Sequence, residues 1–286
     1  TGQPPRGVSI LVSKRFGGSS ATSDTYRAAD GTFDVPNVAP GPYWVGAATN
    51  VGAGFGERAS AQTSVTVSDR DVDGITLTIV PQFNVTARIR AEGFAVESLY
   101  GKGIRAALEW VGGRAPYDAT PVNEIATETF SLFRLSPGTY RLSVSRLPSD
   151  YYVKEARLGQ NDILGQTIEL NGPVSGTLDV LISNRSGSIE GTVVDAQRQP
   201  AAHIEAVLIP ETRRERFDLY KRAIADSNGR FTILGIPPGN YRLFAWEGID
   251  PYSYFDPDVI RQVESQGRPV RVTELSNEIV EIRSIP

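Results

Sequence analysis

Residues 226–246 read D-S-N-G-R-F-T-I-L-G-I-P-P-G-N-Y-R-L-F-A-W. Ser227-Asn228-Gly229 is a turn signal, because Asn and Gly tolerate positive φ. Phe231, Ile233 and Ile236 follow as candidates for one buried face. Pro238-Gly239 then reverses the chain, Pro presetting φ at one turn position and Gly accepting positive φ at the next. Tyr241, Leu243 and Ala245 alternate on the way out. The pattern predicts two strands joined as a β-hairpin.

The same unit recurs. Asp30-Gly31 leads to Phe33, Val38, Pro40-Gly41, Tyr43 and Val45, and Phe130 leads to Leu135, Pro137-Gly138, Tyr140 and Leu142. In each copy Phe precedes the branched apolar residue by five positions and the Pro by seven. The copies start 97 and 101 residues apart (33 to 130, 130 to 231), so each repeat has the size of a small domain.

The pattern D-G-x-F-x-[VI]-x-x-[VI]-x-P-G-x-Y-x-[VL] resembles the carboxypeptidase regulatory-like domain, which is related to transthyretin-like and Cna B-type sandwiches. The third copy carries the resemblance best, since Gly191-Thr192-Val193-Val194-Asp195 and Gln199-Pro200 also match the family's opening. The second copy departs from it in having no Asp-Gly before Phe130. The resemblance implies a seven-stranded β-sandwich used as an accessory module, often extracellular, and it implies no peptidase activity.

The expected fold is therefore all-β: three tandem Ig-like or prealbumin-like Greek-key sandwiches spanning 1–81, 82–184 and 185–286. In the first, Gln3-Pro4 followed by Val8, Ile10 and Val12 matches Gln199-Pro200 followed by Ile204, Ala206 and Leu208. The third unit has a whole strand, 188–195, ahead of that match, and the first unit has none in this sequence. The first sandwich is thus expected to lack its first strand and to offer an open edge at Val8, Ile10 and Val12 for strand addition. Strands are also expected over 64–67, 75–79, 83–89, 104–110, 176–182 and 279–285, with a polar stretch at Gly112-Gly113 and Pro116. One short helix is expected at about 257–266, with Asp256 as cap, Pro257 in its first position and Gly267 after its last turn.

Composition narrows the chemistry. A net charge of −4 argues against a nucleic-acid surface. With no Cys there is neither a disulfide framework nor thiol chemistry. The absence of Met reads as a processed or excised piece, and no apolar run reaches the roughly 20 residues of a membrane-spanning helix. A single His, His203, cannot build a His-based zinc site, and no G-x-S-x-G elbow accompanies it. Asp69-Arg70-Asp71-Val72-Asp73-Gly74 imitates a calcium loop, but Val80 stands where the bidentate Glu belongs. Cna B-type relatives can carry a Lys–Asn isopeptide bond with Lys on the first strand, and neither 83–89 nor 188–194 contains Lys. No catalytic residue, cofactor or metal ligand is assigned.

Two features remain as candidate contacts. Tyr43, Tyr140 and Tyr241 repeat at one position and read as corner tyrosines, the ring packed and the hydroxyl bonded to nearby backbone. Trp246, Tyr252, Tyr254 and Phe255 cluster with Asp250, a composition suited either to a glycan or partner site or to packing the helix onto the sandwich. The expected function is a non-catalytic structural or adhesive protein at the cell surface or outside it (a periplasmic position also fits). Filament or stalk subunits would be joined by strand complementation. The alternatives are a carbohydrate-binding accessory module and a segment of a larger membrane-associated parent protein. The expected partners are further copies of itself or that parent, and a glycan.

Overall fold

A computed structural model describes residues 7–15, 20–23, 26–51, 57–111, 122–250 and 252–285. Gln3-Pro4, Gly112-Gly113 and Pro116 lie outside them. The described chain is mostly β, with strands in five sheets that follow sequence order.

The third unit is the plainest. One sheet has the order Arg230–Ile236, Gly187–Val194, Asn277–Arg283; the other has Lys221–Ile224, Glu205–Pro210, Gly239–Trp246, Arg268–Val272. The alternation read from the sequence sets which residues face inward. Phe231, Ile233 and Ile236 from one sheet meet Tyr241, Leu243 and Ala245 from the other, and all six are buried. Burying each large apolar side chain contributes roughly 1.5–3 kcal/mol.

The Pro238-Gly239 connection is not a hairpin. Arg230–Ile236 pairs with the first strand, Gly187–Val194, whereas Gly239–Trp246 pairs in the opposite sheet with Glu205–Pro210 and Arg268–Val272. The second unit repeats this, Thr129–Leu135 lying in one sheet and Gly138–Ser145 in the other. Alternation reports the buried face of a strand and is silent on its hydrogen-bonding partner, so two strands facing each other across a core imitate two strands side by side. The glycine of the turn serves close packing rather than the positive φ expected of it, which neither Gly138 nor Gly239 adopts. A Cβ at Gly138 would collide with the Trp110 indole.

The corner tyrosines close these connections. Tyr241 Oη donates to the Pro237 carbonyl at 2.7 Å, and Tyr140 Oη to the Ser136 carbonyl at 2.6 Å while accepting from the Ser136 N–H at 3.2 Å. Burial raises both phenols, Tyr140 to about 12. Tyr43 is buried at the matching position of the first unit. We expect Tyr241→Phe, which leaves a buried carbonyl without its donor, to cost about 1–2 kcal/mol in chemical denaturation. A cost near zero would show that this carbonyl gains no stability from the phenol.

The second unit has two sheets as well: Thr167–Leu170, Gly138–Ser145, Arg105–Trp110, Val122–Glu124, and Asn161–Asp162, Tyr152–Leu158, Leu178–Ser183, Phe83–Glu92, Thr129–Leu135. The single α-helix among the described residues, Pro257–Val263, belongs to the third unit and begins as expected. Asp256 accepts from the Asp258 N–H at 2.8 Å and Pro257 occupies the first turn. A 3-10 turn, Glu264–Gln266, extends it. Ile260 is buried against Phe244, Trp246 and Tyr254 on the outer face of the sheet.

In the first unit the described residues form one sheet, in the order Ser20–Ser23, Ser9–Lys14, Gly41–Val51, Glu57–Val67, Val80–Pro81. The expected strand over 75–79 does not form. Residues 71–79 carry no strand assignment, although Leu77 and Ile79 pack on the core.

Candidate functional site

The three units differ most where their first strand should lie. In the third unit Gly187–Val194 runs between Arg230–Ile236, antiparallel, and Asn277–Arg283, parallel. In the second unit Phe83–Glu92 runs between Thr129–Leu135, antiparallel, and Leu178–Ser183, parallel. In the first unit the matching flanks are residues 32–38 and 75–79. Beyond a lone bridge from Arg27 to Thr32, neither flank joins a ladder among the described residues.

Burial records the same difference. Phe231, Ile233 and Ile236 are 5%, 2% and 0% exposed. Their counterparts Phe33, Val35 and Val38, with Leu77 and Ile79, are only partly buried. Residues 75–79 alternate in and out as a half-covered strand does, and 32–36 do the same until the pattern breaks at Asn37, which is exposed like Pro36 and has φ of 60°.

This location corrects the expected edge. Ser9–Lys14 is paired on both sides, Ile10 opposite Ser23 and Ala47, Val12 opposite Ala21 and Val45. Val8, Ile10 and Val12 are buried in the core, so no open edge runs along them. Lining up the matches to the third unit points to the flanks instead: the first strand is hydrogen-bonded to the Phe-bearing and last strands, never to the second.

The aromatic cluster is also redistributed. Trp246 and Tyr254 are each 5% exposed, Trp246 stacked on Phe244 at 4.9 Å, so both belong to the core beneath the helix. Tyr252 is 68% exposed, lies parallel to the half-buried Phe255 at 6.2 Å and has φ of 71°, unusual for a residue with a side chain. Asp250 is exposed, its carbonyl accepting from Ser253 Oγ. Phe217, 52% exposed, joins edge-to-face with Phe255 at 4.9 Å, with the Arg141 guanidinium over its ring. Phe217 lies far from this loop in sequence, and no local pattern pointed to it. His203 is exposed with φ of 61° in the turn before Glu205–Pro210, not in a strand.

On the outer face of the first unit's sheet, Leu11, Trp44, Gly46 and Gln62 line a shallow depression. Of its lining atoms, Trp44 Nε1 and Gln62 Nε2 are buried without hydrogen-bond partners. No group of three His, Cys, Asp or Glu among the described residues is placed to hold a metal ion. No helix among them is long and apolar enough to cross a membrane.

A polar clasp joins the second and third units. Lys154 Nζ donates to both Glu92 oxygens at 2.8 Å and to Glu274 at 3.0 Å, and Arg185 Nε holds Glu274 at 2.7 Å. Ser186 Oγ donates to the Asp150 carbonyl, and Arg213 to that of Leu164. Hydrogen bonds from Lys154 hold both Glu92 and Glu274 below the ordinary carboxylate range, and the same bonds raise Lys154. For the two Glu, whose folded values are lowered, the clasp's stabilisation is complete above their ordinary pKa of 4.5 and disappears as pH falls through the lowered values. For Lys154, whose folded value is raised, it is complete below the ordinary 10.5 and is lost only above that. We expect Lys154→Met to increase amide exchange around Glu92 and Glu274 at pH 7 and to leave exchange there unchanged at pH 2. An equal increase at both would refute the ionic origin.

No family model matches the chain, and no curated protein matches it significantly. Solved structures similar to it include a streptococcal ancillary pilin (14% identity, 87% of this chain and 76% of that one, TM-score 0.28). A second is the major pilin subunit BcpA of Bacillus cereus (12%, 97% and 94%, TM-score 0.24). A third is the minor pilin GBS52 of Streptococcus agalactiae (12%, 71% and 97%, TM-score 0.26).

Proposed function

We propose that the chain is a non-catalytic structural or adhesive element of a filament or stalk outside the cell or at its surface. In this reading its units are joined to neighbours by strand complementation. The observation that carries it is the pair of flanks in the first unit, 32–36 and 75–79, which alternate like strands and have no ladder partner among the described residues. The resemblance to carboxypeptidase regulatory-like domains, accessory modules without catalytic residues, supports the same reading. A segment of a larger membrane-associated protein is the competing reading, and it needs no joint between molecules.

Light-scattering mass and negative-stain imaging over a concentration series test it. A ladder of oligomers or fibres is expected. A particle that stays monomeric at every concentration, in the 286-residue chain and in one carrying a completing strand, overturns the filament reading.

A second reading rests on one observation: Tyr252, Phe255 and Phe217 form a continuous aromatic surface, partly exposed, beside Asp250. Such a surface suits the apolar face of a pyranose ring. Chemical-shift changes confined to these residues on adding oligosaccharides would favour a carbohydrate-binding module, and no change in any sugar would dismiss it.

A further inference from the structure

Arg141 carries a charge that the described residues leave unanswered. Its side chain does one thing there: the guanidinium lies over the Phe217 ring, 5.9 Å from the centroid. Glu109 stands directly opposite on the neighbouring strand, yet no ion pair joins the two. Arg141 Nε is shut off from water without a hydrogen-bond partner, whereas the two terminal nitrogens, equally unpartnered, reach solvent. A partly desolvated cation without an anion is unfavourable. The group its planar fork of donors fits best is a carboxylate.

The ring beneath it is held in place from two units. Phe217 opens the 3-10 turn Phe217–Leu219, whose last residue enters the third unit's core, leaving Phe217 on the outside. The preceding residue, Arg216, is buried against Gly165 of the second unit, where a Cβ would overlap the arginine stem. Gly235 meets the Ser149 carbonyl just as closely, so the two units approach at backbone distance in two places. Arg141 and Phe217 therefore meet at a fixed position although they belong to different units.

Phe255 continues the surface from Phe217, and Tyr252 from Phe255. The Tyr252 ring is kept in solvent by a backbone of positive φ, a cost that recurs where side chains are positioned for function. The result is a strip of aromatic faces with a carboxylate, Asp250, near the Tyr252 end and an unpaired guanidinium at the Phe217 end.

We infer that this strip binds an acidic oligosaccharide. A uronate ring rests on Phe217 with its carboxylate on the terminal nitrogens of Arg141, and a neutral sugar rests on Tyr252 beside Asp250. The inference rests on the carbohydrate reading given second above. It adds the charge class of the ligand and makes the site a joint product of the second and third units.

The 286-residue chain is titrated with tetrasaccharides of hyaluronan and of polygalacturonate, and with chitotetraose as the neutral match, while the amide shifts of Phe217, Tyr252 and Phe255 are followed. An acidic tetrasaccharide is expected to bind about tenfold more tightly than chitotetraose, the scale of one charge-assisted hydrogen bond. Arg141→Met, which keeps the stem over the ring, should erase that preference and leave the chitotetraose affinity where it was. Arg141→Lys, which keeps the charge without the fork, should retain only part of it. Equal affinity for acidic and neutral sugars, or a preference that either variant leaves whole, overturns the inference and leaves the carbohydrate reading standing. No shift at these residues with any of the three sugars overturns both.

Discussion

Phe244→Ala is expected to destabilise the third unit by about 3–5 kcal/mol, the range for removing a fully buried aromatic ring. Phe244 has no exposed surface and lies outside the main core of the sandwich. It belongs to a second apolar layer with Val207, Ile209, Trp246, Tyr254, Ile260 and Ile285. Trp246 stacks on it with the rings 12° from parallel, and Gly267 sits so close that a Cβ would overlap the ring. Nothing nearby is flexible enough to fill the space, since sheet lies on one side and a capped helix on the other. Denaturant titration measures the loss, and Phe244→Leu, which keeps most of the volume, should cost clearly less. A loss below about 1 kcal/mol from the Ala variant would mean that the helix contributes no packed layer.

Gly191→Leu is expected to cost about 3 kcal/mol, the upper end for forcing atoms into a filled core. The penalty comes from Phe231 and Val280, which already occupy the space of the new side chain. Phe231→Ala in the same molecule should therefore recover part of it, giving a favourable coupling in a double-mutant cycle. Thr192→Val, at the adjacent position, should be close to neutral. If Phe231→Ala and Gly191→Leu simply add, the Phe ring is not what excludes side chains there.

Much of the fold was legible because its determinants are local. Alternation placed Phe231, Ile233, Tyr241 and Leu243 on buried faces, and the Asp256-Pro257 start of the helix is cap chemistry within one turn. Strand partnership was not legible. Pairing is decided by which backbone lies alongside, so the Pro–Gly connection was read as a hairpin although it crosses between sheets. The expected open edge failed for the same reason: Ser20–Ser23 covers Ser9–Lys14, and nothing in its Ser-Ala-Thr-Ser sequence announces a core strand. The aromatic cluster is divided by the fold. Composition located the loop, but Trp246 and Tyr254 turn inward to serve the helix, while Phe217 arrives from a distant segment.

The parallel pairing of first and last strands has a mechanical consequence. In the third unit Ser188 to Val194 align in register with Asn277 to Arg283, both running the same way. Tension applied through the entering and leaving ends of such a unit pulls the two strands lengthwise past each other. Every hydrogen bond between them is then loaded in shear together, and none can peel open ahead of the rest. The second unit has the same arrangement between Phe83–Glu92 and Leu178–Ser183. Resistance to pulling is governed by the rate of unfolding rather than by equilibrium stability, and a shear clamp slows that rate along the direction in which a stalk is stretched. Among its described residues the first unit shows no such parallel ladder. In single-molecule pulling it should be the first to yield.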